Sequence, residues 1–192
     1  MKRILLIVLL IVLLLSLCAC GDDVVDSTAE STAANVVQSL TLGYYKDGGP
    51  KYVTDYDLKQ LLKYDEIHNL VLANYIGTDL SILAQVKGLR TLRLMSMEDV
   101  TDLSFLASLT DLKSLMIYDL SDEFTDISVL SQLTWLESLW VNNIGVDDFS
   151  PLYSLTQLKV LDLTSTAITQ SQYNALLAAL PGCEIRNVTV YN

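Results

Sequence analysis

The feature that most constrains the fold of this chain is a leucine pattern that recurs every 22 to 24 residues. The motif is L-x-x-L-x-L, with Ile, Val or Cys at some of its apolar positions. Its copies begin at Ile67, Leu89, Leu112, Leu136, Leu158 and Leu180. Such a period is typical of a solenoid, because each unit is too small to bury its apolar face alone and must stack on its neighbours.

A second motif recurs between the leucine motifs. In each copy an aspartate and a serine flank one apolar residue, and the aspartates are Asp79, Asp102, Asp126 and Asp148. Both residue types accept hydrogen bonds from the free N–H groups at the start of a helix, and Pro151 suits a first helical position. The spacing predicts a capped helical turn in the second half of each unit, and it explains the aspartates without a metal ion.

Together the two motifs resemble leucine-rich repeat proteins, particularly the short-repeat bacterial type found in internalins. The resemblance covers residues 67–186 well and residues 36–66 loosely. It implies an α/β leucine-rich repeat solenoid, right-handed and curved, with a parallel β-sheet on the concave side and turns or short 3₁₀ segments on the convex side. The family usually places Asn three residues after the third leucine position, where this chain has Tyr75, Met97, Leu120, Ile144 and Thr166. We therefore expect irregular turns there.

Both ends of the array have the pattern of helical caps. Leu40 and Leu42 fit a first strand, and Thr54 can cap a helix that follows. Thr169 and Gln172 have capping-box spacing before an apolar helix face that includes Leu177. These patterns predict seven strands and divide the folded part into an N-terminal cap at 36–66, repeats at 67–168 and a C-terminal cap at 169–192.

The N-terminus has the pattern of a bacterial lipoprotein signal. The apolar run Ile4–Leu17 follows two basic residues and is shorter than the roughly 20 residues needed to span a membrane, so it fits a signal peptide. The run ends in L-C-A-C, which resembles a lipobox and implies cleavage before Cys20 and a diacylglyceryl thioether, with palmitate-type chains, on that residue. An uncleaved anchor or an ordinary secretory signal is the alternative. We predict a signal peptide at 1–19 and a flexible tether at 20–35.

The predicted location is the extracytoplasmic side of a bacterial cell membrane, held there by the lipid. The formal net charge of −11 and the lack of a basic run argue against nucleic acid as a partner. Of the three cysteines, Cys183 would remain alone in the mature protein, and its leucine slot predicts a small core residue.

The strand residues between the leucines point away from the core because side chains alternate along a strand. One outward row comprises Val71, Arg93, Met116, Trp140 and Asp162. The neighbouring row comprises Ala73, Met95, Tyr118, Asn142 and Thr164. Exposed Trp, Tyr and Met side chains are typical of binding hot spots. The predicted ligand-binding residues are Arg93, Met95, Met116, Tyr118, Trp140, Asn142 and Asp162. Alternatively, these side chains only pack on one another.

Acidic residues after the strands form a second candidate surface, either to steer a basic partner or to solvate one edge. They are Glu98, Asp99, Asp119, Asp122, Glu123, Asp147 and Asp148.

Catalysis has little support in the sequence. The one histidine, His68, has no positioned nucleophile, and Gly48–Gly49 lacks the pattern of a phosphate-binding loop. We therefore expect a non-enzymatic monomer without cofactor or metal, which binds a protein or a surface glycan on its concave face. The alternative is an envelope scaffold, or an inhibitor or immunity-type lipoprotein, that binds through its acidic edge.

Overall fold

The computed structural model describes residues 35–43, 45–46, 49–120, 124–142 and 146–192. The predicted signal peptide, the proposed lipid site Cys20 and the tether up to residue 34 lie outside these ranges. Within them, none of the helices is long and apolar enough to cross a membrane.

The core of the fold is a single sheet of seven strands that runs the length of the array, and every neighbouring pair of strands is parallel. In their order across the sheet, which is also their order in the chain, these strands are β1 (Val36–Leu42), β4 (Glu66–Ala73), β5 (Thr91–Met97), β6 (Ser114–Leu120), β7 (Ser138–Asn142), β8 (Val160–Thr169) and β9 (Glu184–Tyr191). A separate antiparallel pair consists of β2 (Tyr45–Lys46) and β3 (Gly49–Pro50). The predicted α/β leucine-rich repeat solenoid is confirmed.

The register of the sheet follows the leucine motif. Equivalent motif leucines lie side by side on neighbouring strands, and all of them are fully buried: Leu70, Leu92, Leu115, Leu139 and Leu161. Each such side chain contributes about 1.5 to 3 kcal/mol on burial before chain entropy is subtracted. The stacked ladder of aliphatic side chains therefore provides the apolar contacts that no single repeat could make.

Short 3₁₀ helices connect the strands on the opposite side of the core. Four of them recur in the repeats, at Ser81–Gln85, Ser104–Ser108, Ser128–Gln132 and Ser150–Ser154, and a shorter one, Leu61–Lys63, lies in the N-terminal cap. Each aspartate of the second motif accepts a hydrogen bond through Oδ1 from the backbone N–H of the serine two residues later, at 2.7 to 2.8 Å. The predicted capping role of these aspartates is confirmed.

The turns after the strands are more regular than the sequence suggested. A residue with positive φ occurs two positions after the last inward-facing aliphatic residue in five repeats, at Asn74, Ser96, Asp119, Ser165 and Asn187. This left-handed residue turns the next side chain inward, so that Tyr75, Met97, Leu120 and Thr166 are buried. Large side chains therefore occupy the usual asparagine position as core residues at Tyr75, Met97 and Leu120, and the expectation of irregular turns is wrong at these three positions. It is correct at Thr166, where the pairing of β8 with β9 is irregular.

The N-terminal cap begins with β1, which is followed directly by Gly43. Its φ is +70°, and a Cβ at this position would lie 1.9 Å from the carbonyl oxygen of Ala73, so only glycine fits. Helix α1 (Asp55–Gln60) follows Thr54, whose N–H donates to Asp57 Oδ2 at 2.9 Å. The predicted first strand and capped helix are confirmed.

The C-terminal helix, α2 (Gln170–Ala179), begins with the predicted capping box. Gln172 N–H donates to Thr169 Oγ1 at 3.1 Å, and Thr169 N–H donates to Gln172 Oε1 at 2.7 Å. Leu176 and Leu180 pack into the core, whereas Leu177 is exposed. The predicted apolar face of this helix is therefore narrower than the sequence indicated.

The last strand is paired two residues away from the expected register. Ile185 lies beside Leu161, whereas the motif alignment predicts Cys183 at that position. A bulge in β8 between Asp162 and Thr166 then shifts the pairing by two residues, so that Thr166 lies beside Val188 in the register that the motif alignment predicts. Cys183 is consequently half-buried at the margin of the core, and its predicted placement in a leucine slot is wrong.

Candidate binding surface

The outward residues of neighbouring strands lie side by side as the alternation predicts. Met116 is paired with Arg93 on one side and with Trp140 on the other. In the next row Tyr118 is paired with Met95 and Asn142. Since paired strands are about 4.8 Å apart, the large side chains form one continuous surface. We call the surface made by Met95, Met116, Tyr118 and Trp140 the Trp140 patch.

The Trp140 patch lies outside the hydrophobic core. Tyr118 is 37% exposed, and the other three side chains are half-buried. In contrast, Leu139 and Val141 on either side of Trp140 are buried beneath the sheet. Partial burial on an open sheet face means that these side chains support one another and still present apolar and aromatic area to solvent.

One edge of the Trp140 patch carries a cationic side chain. Arg93 is exposed and makes no ion pair with any residue in the described ranges. Its guanidinium is thus available to a carboxylate of a partner.

The other margin differs from the sequence-based expectation. Asp162 is only 8% exposed, because its carboxylate is occupied within the protein. Its Oδ1 accepts hydrogen bonds from the backbone N–H and the hydroxyl of Thr164, and its Oδ2 accepts one from Asn187 Nδ2 at 2.7 Å. Asp162 therefore holds β8 to β9, and the prediction that it is an exposed ligand-binding residue is wrong.

A charged residue that the sequence analysis missed lies next to Asp162. Arg186 is paired with Asp162 in the sheet, is exposed, and forms an ion pair with Glu184. Sequence reasoning missed it because the two outward rows end at Asp162 and Thr164 and do not include the last motif.

The acidic residues after the strands do not form a uniform surface. Glu98, Asp99 and Asp147 are exposed, whereas Asp148 caps a 3₁₀ helix through Ser150 N–H at 2.8 Å. Asp119 is half-buried in a left-handed turn, and it has an interaction partner. Asp122 and Glu123 lie outside the described residues.

Both ring nitrogens of His68 have hydrogen-bond partners on the first two strands of the sheet. Its Nδ1 lies 2.9 Å from Gln38 Oε1, and its Nε2 lies 3.3 Å from Glu66 Oε2. Within the described ranges, no three His, Cys, Asp or Glu side chains are arranged to hold a metal ion.

Two cavities adjoin the N-terminal cap. One, of about 330 Å³, lies against α1 and includes Asp55 and Asp79. Both carboxylates are already used, since Asp55 accepts from the Tyr75 hydroxyl at 2.5 Å and Asp79 accepts from Ser81 N–H at 2.7 Å. Burial, together with the hydrogen bond to Asp55, raises the pKa of Tyr75 far above its ordinary value. The second cavity, of about 290 Å³, lies at the ends of β4 and β5.

The chain is similar in fold to solved structures of other proteins. No protein-family model matches the chain, and no curated protein matches it. Among solved structures, an internalin (inlF) from Listeria monocytogenes aligns over 81% of this chain with 24% identity and a TM-score of 0.63. Internalin C2 from the same organism aligns over 81% of this chain with 22% identity and a TM-score of 0.54. The aligned region spans 43% of the first internalin and 74% of the second. The chain thus has the leucine-rich repeat fold seen in internalins.

Proposed function

We propose that this chain is a membrane-anchored, extracytoplasmic recognition module that binds a protein partner, or a surface glycan, through the Trp140 patch. The observation that carries the proposal is the continuity of that patch across β5, β6 and β7 on the open face of the sheet. Trp and Tyr are enriched in binding hot spots, and Met is enriched in protein–protein interfaces, where a large apolar area becomes buried on association.

Arg93 supports a partner with a carboxylate at the margin of the contact. Unlike Lys113, Lys159 and Arg186, it has no acidic partner among the described residues. Because arginine forms bidentate hydrogen bonds with carboxylates, it would fix the orientation of a partner that the apolar patch holds.

The anchoring part of the proposal depends on the sequence motif at Cys20. Several acyl chains on one cysteine would hold the protein at the membrane surface, since each buried methylene contributes about 0.8 kcal/mol. Mass spectrometry of the mature protein tests this, and the expected N-terminal residue is acylated Cys20. Membrane release of a C20S variant is the matching control. A mature chain that begins elsewhere without lipid would contradict the proposal.

A pull-down from envelope extracts or host surface proteins, followed by affinity measurement, tests the binding surface. We expect W140A combined with Y118A to raise Kd by at least about 30-fold, because truncation of a hot-spot residue costs about 2 kcal/mol or more. Y56A is the matched control, since Tyr56 is an exposed tyrosine on α1 of the N-terminal cap, outside the sheet. We expect it to bind normally.

The alternative function is an envelope scaffold, or an inhibitor or immunity-type lipoprotein, that binds through acidic residues. The exposed carboxylate of Asp147 favours this alternative, together with Asp122 and Glu123 of the same predicted acidic edge. A contact of this kind weakens with salt because exposed charges are screened beyond about 8 Å at physiological ionic strength. If D122N/E123Q/D147N abolishes binding while W140A/Y118A leaves it unchanged, the alternative is correct and the Trp140 patch is not the site.

A further inference from the structure

Cationic side chains are paired in one half of the sheet and unpaired in the other. From residue 113 onward every lysine and arginine forms an ion pair with a glutamate; these cations are Lys113, Lys159 and Arg186. At the start of β5, in contrast, Lys87, Arg90 and Arg93 are exposed, and none of them forms an ion pair with any residue in the described ranges. We call these three residues the Arg90 cluster. In a chain with a formal net charge of −11, such a cluster favours an anionic occupant from outside the described residues.

The chain enters the described fold close to this cluster. Asn35 is the first described residue, and its N–H donates to Asp65 Oδ2 at 2.8 Å. The residues that follow form β1, which lies beside β4, and β4 in turn lies beside β5. The strand spacing and the rise per residue together place Arg90 about 14 Å and Arg93 about 22 Å from Asn35. The entry point is thus held by a hydrogen bond within a short distance of both arginines.

The segment before Asn35 has the opposite charge. Residues 21–34 have no lysine, arginine or histidine, and their acidic residues are Asp22, Asp23, Asp26 and Glu30. These residues lie outside the described ranges. An extended chain covers about 3.3 Å per residue, so Glu30 can lie up to about 16 Å from Asn35, and Asp26 up to about 30 Å. Glu30 can therefore reach Arg90. Asp26, which is further from the fold along the chain, can reach Arg93.

Two carboxylates beside the entry point are already engaged within the fold. Asp65 accepts the hydrogen bond from Asn35, and Glu66 Oε2 lies 3.3 Å from His68 Nε2. The exposed guanidinium of Arg90 keeps its capacity to bind a carboxylate through paired hydrogen bonds. Exposed contacts of this kind are individually weak, but two of them on a covalently attached segment act at a high effective concentration.

We propose that the acidic segment 21–34 docks on the Arg90 cluster of its own chain, with Glu30 against Arg90 and Asp26 against Arg93. The docked segment covers the Arg93 edge of the Trp140 patch and leaves Trp140 open. An acidic group of a partner must then displace the segment before it can bind Arg93. That the displacement regulates partner binding rests on the proposed function, whereas the docking itself does not.

Nuclear magnetic resonance of the purified protein in detergent micelles tests the docking directly. Spectra of the unaltered chain are compared with those of a D26N/E30Q variant. We expect the backbone amides and the Nε–H groups of Arg90 and Arg93 to shift, and those of the glutamate-paired Arg186 to stay in place. If the signals of both arginines coincide in the two spectra, the segment does not dock there and the proposal is wrong.

A peptide added in trans tests whether the segment itself is recognised. The probe has the sequence of residues 21–34 with both ends blocked, and it is titrated into a D22N/D23N/D26N/E30Q variant. We expect saturable shifts of the same arginine signals. A control peptide with amides in place of the four carboxylates should bind at least about tenfold more weakly, as the loss of exposed charge contacts implies. Equal binding of the two peptides would overturn the proposal.

Variants of the fold distinguish the Arg90 cluster from general attraction between charges. R90Q/R93Q in the same background should raise the Kd of the acidic peptide at least about tenfold. K51Q/K59Q is the charge-matched control, since both lysines are exposed and lie outside the seven-stranded sheet, and it should leave the Kd unchanged. Equal weakening by the two variants would contradict the proposal. W140A should still bind the peptide, so failure of the Trp140 patch and failure of the docking are separate results.

Discussion

Two adjacent residues of β5 provide a direct test of which sheet face is the core. Leu94 is fully buried, whereas Arg93 is exposed and unpaired among the described residues. L94A removes three carbon atoms, and at about 0.8 kcal/mol for each the lost transfer free energy is about 2.4 kcal/mol. The cavity left in a packed array adds to this, so we expect a total loss of about 3 to 4 kcal/mol in the free energy of unfolding.

The assay is urea denaturation followed by circular dichroism. With an m-value of about 2 kcal/mol/M, L94A should lower the unfolding midpoint by about 1.5 to 2 M. R93A should change the free energy of unfolding by less than about 0.5 kcal/mol, since Arg93 is on the surface. Equal losses for the two variants, or a larger loss for R93A, would refute the assignment of the two faces.

Three further predictions concern the turns, the caps and the thiol. Because Ser96 has a φ of 54°, S96G should raise the thermal unfolding midpoint and S96V should lower it, as differential scanning calorimetry would show; the opposite order would contradict the left-handed turn. Hydrogen bonds from Ser81 and Ser128 hold the pKa values of Asp79 and Asp126 below the ordinary value of 3.8. Their stabilisation is therefore present above that value and is lost as the pH falls through the lowered pKa, so D79N/D126N should flatten the acid limb of a stability-against-pH curve; an unchanged limb would contradict this. Burial raises the pKa of the Cys183 thiol, so it should react with an aromatic disulfide reagent near pH 8 more slowly than free cysteine does, and an equal rate would be the contrary result.

The repeated part of the fold could be predicted because its information is local and periodic. The leucine motif sets both the strand positions and their register, and stacking then follows from the need to bury one apolar face per repeat. The caps at residues such as Asp102 and Thr169 were predictable for the same reason, since a side-chain acceptor a few residues from a helix start has few other uses.

The sequence analysis missed the left-handed turns and the register of the last strand for two different reasons. The left-handed residue of each turn, such as Ser96 or Asp119, is small or polar, and this signal was present one position before the asparagine position that was considered. In the last repeat, Cys183 and Ile185 both fit an apolar slot, so the pattern alone could not reveal the bulge in β8.

The cavity at the ends of β4 and β5 and the buried position of Asp162 could not be predicted in this way. The cavity brings together Tyr52 from the cap, Asn74 from the turn after β4 and Glu98 from the turn after β5. Asp162 is buried because Asn187, from the next strand, reaches its carboxylate. Both depend on side chains far apart in sequence.

Tryptophan fluorescence tests the central claim most directly, because the chain has only two tryptophans and they lie in different places. In a W135F variant Trp140 is the sole reporter, and in a W140F variant Trp135, which packs against the core outside the sheet, is the control. The account predicts that acrylamide quenches Trp140 in the free protein, and that the captured partner protects it while leaving Trp135 unchanged. Trp140 shielded from acrylamide in the free protein, or equally accessible with and without partner, would contradict the assignment of the binding surface.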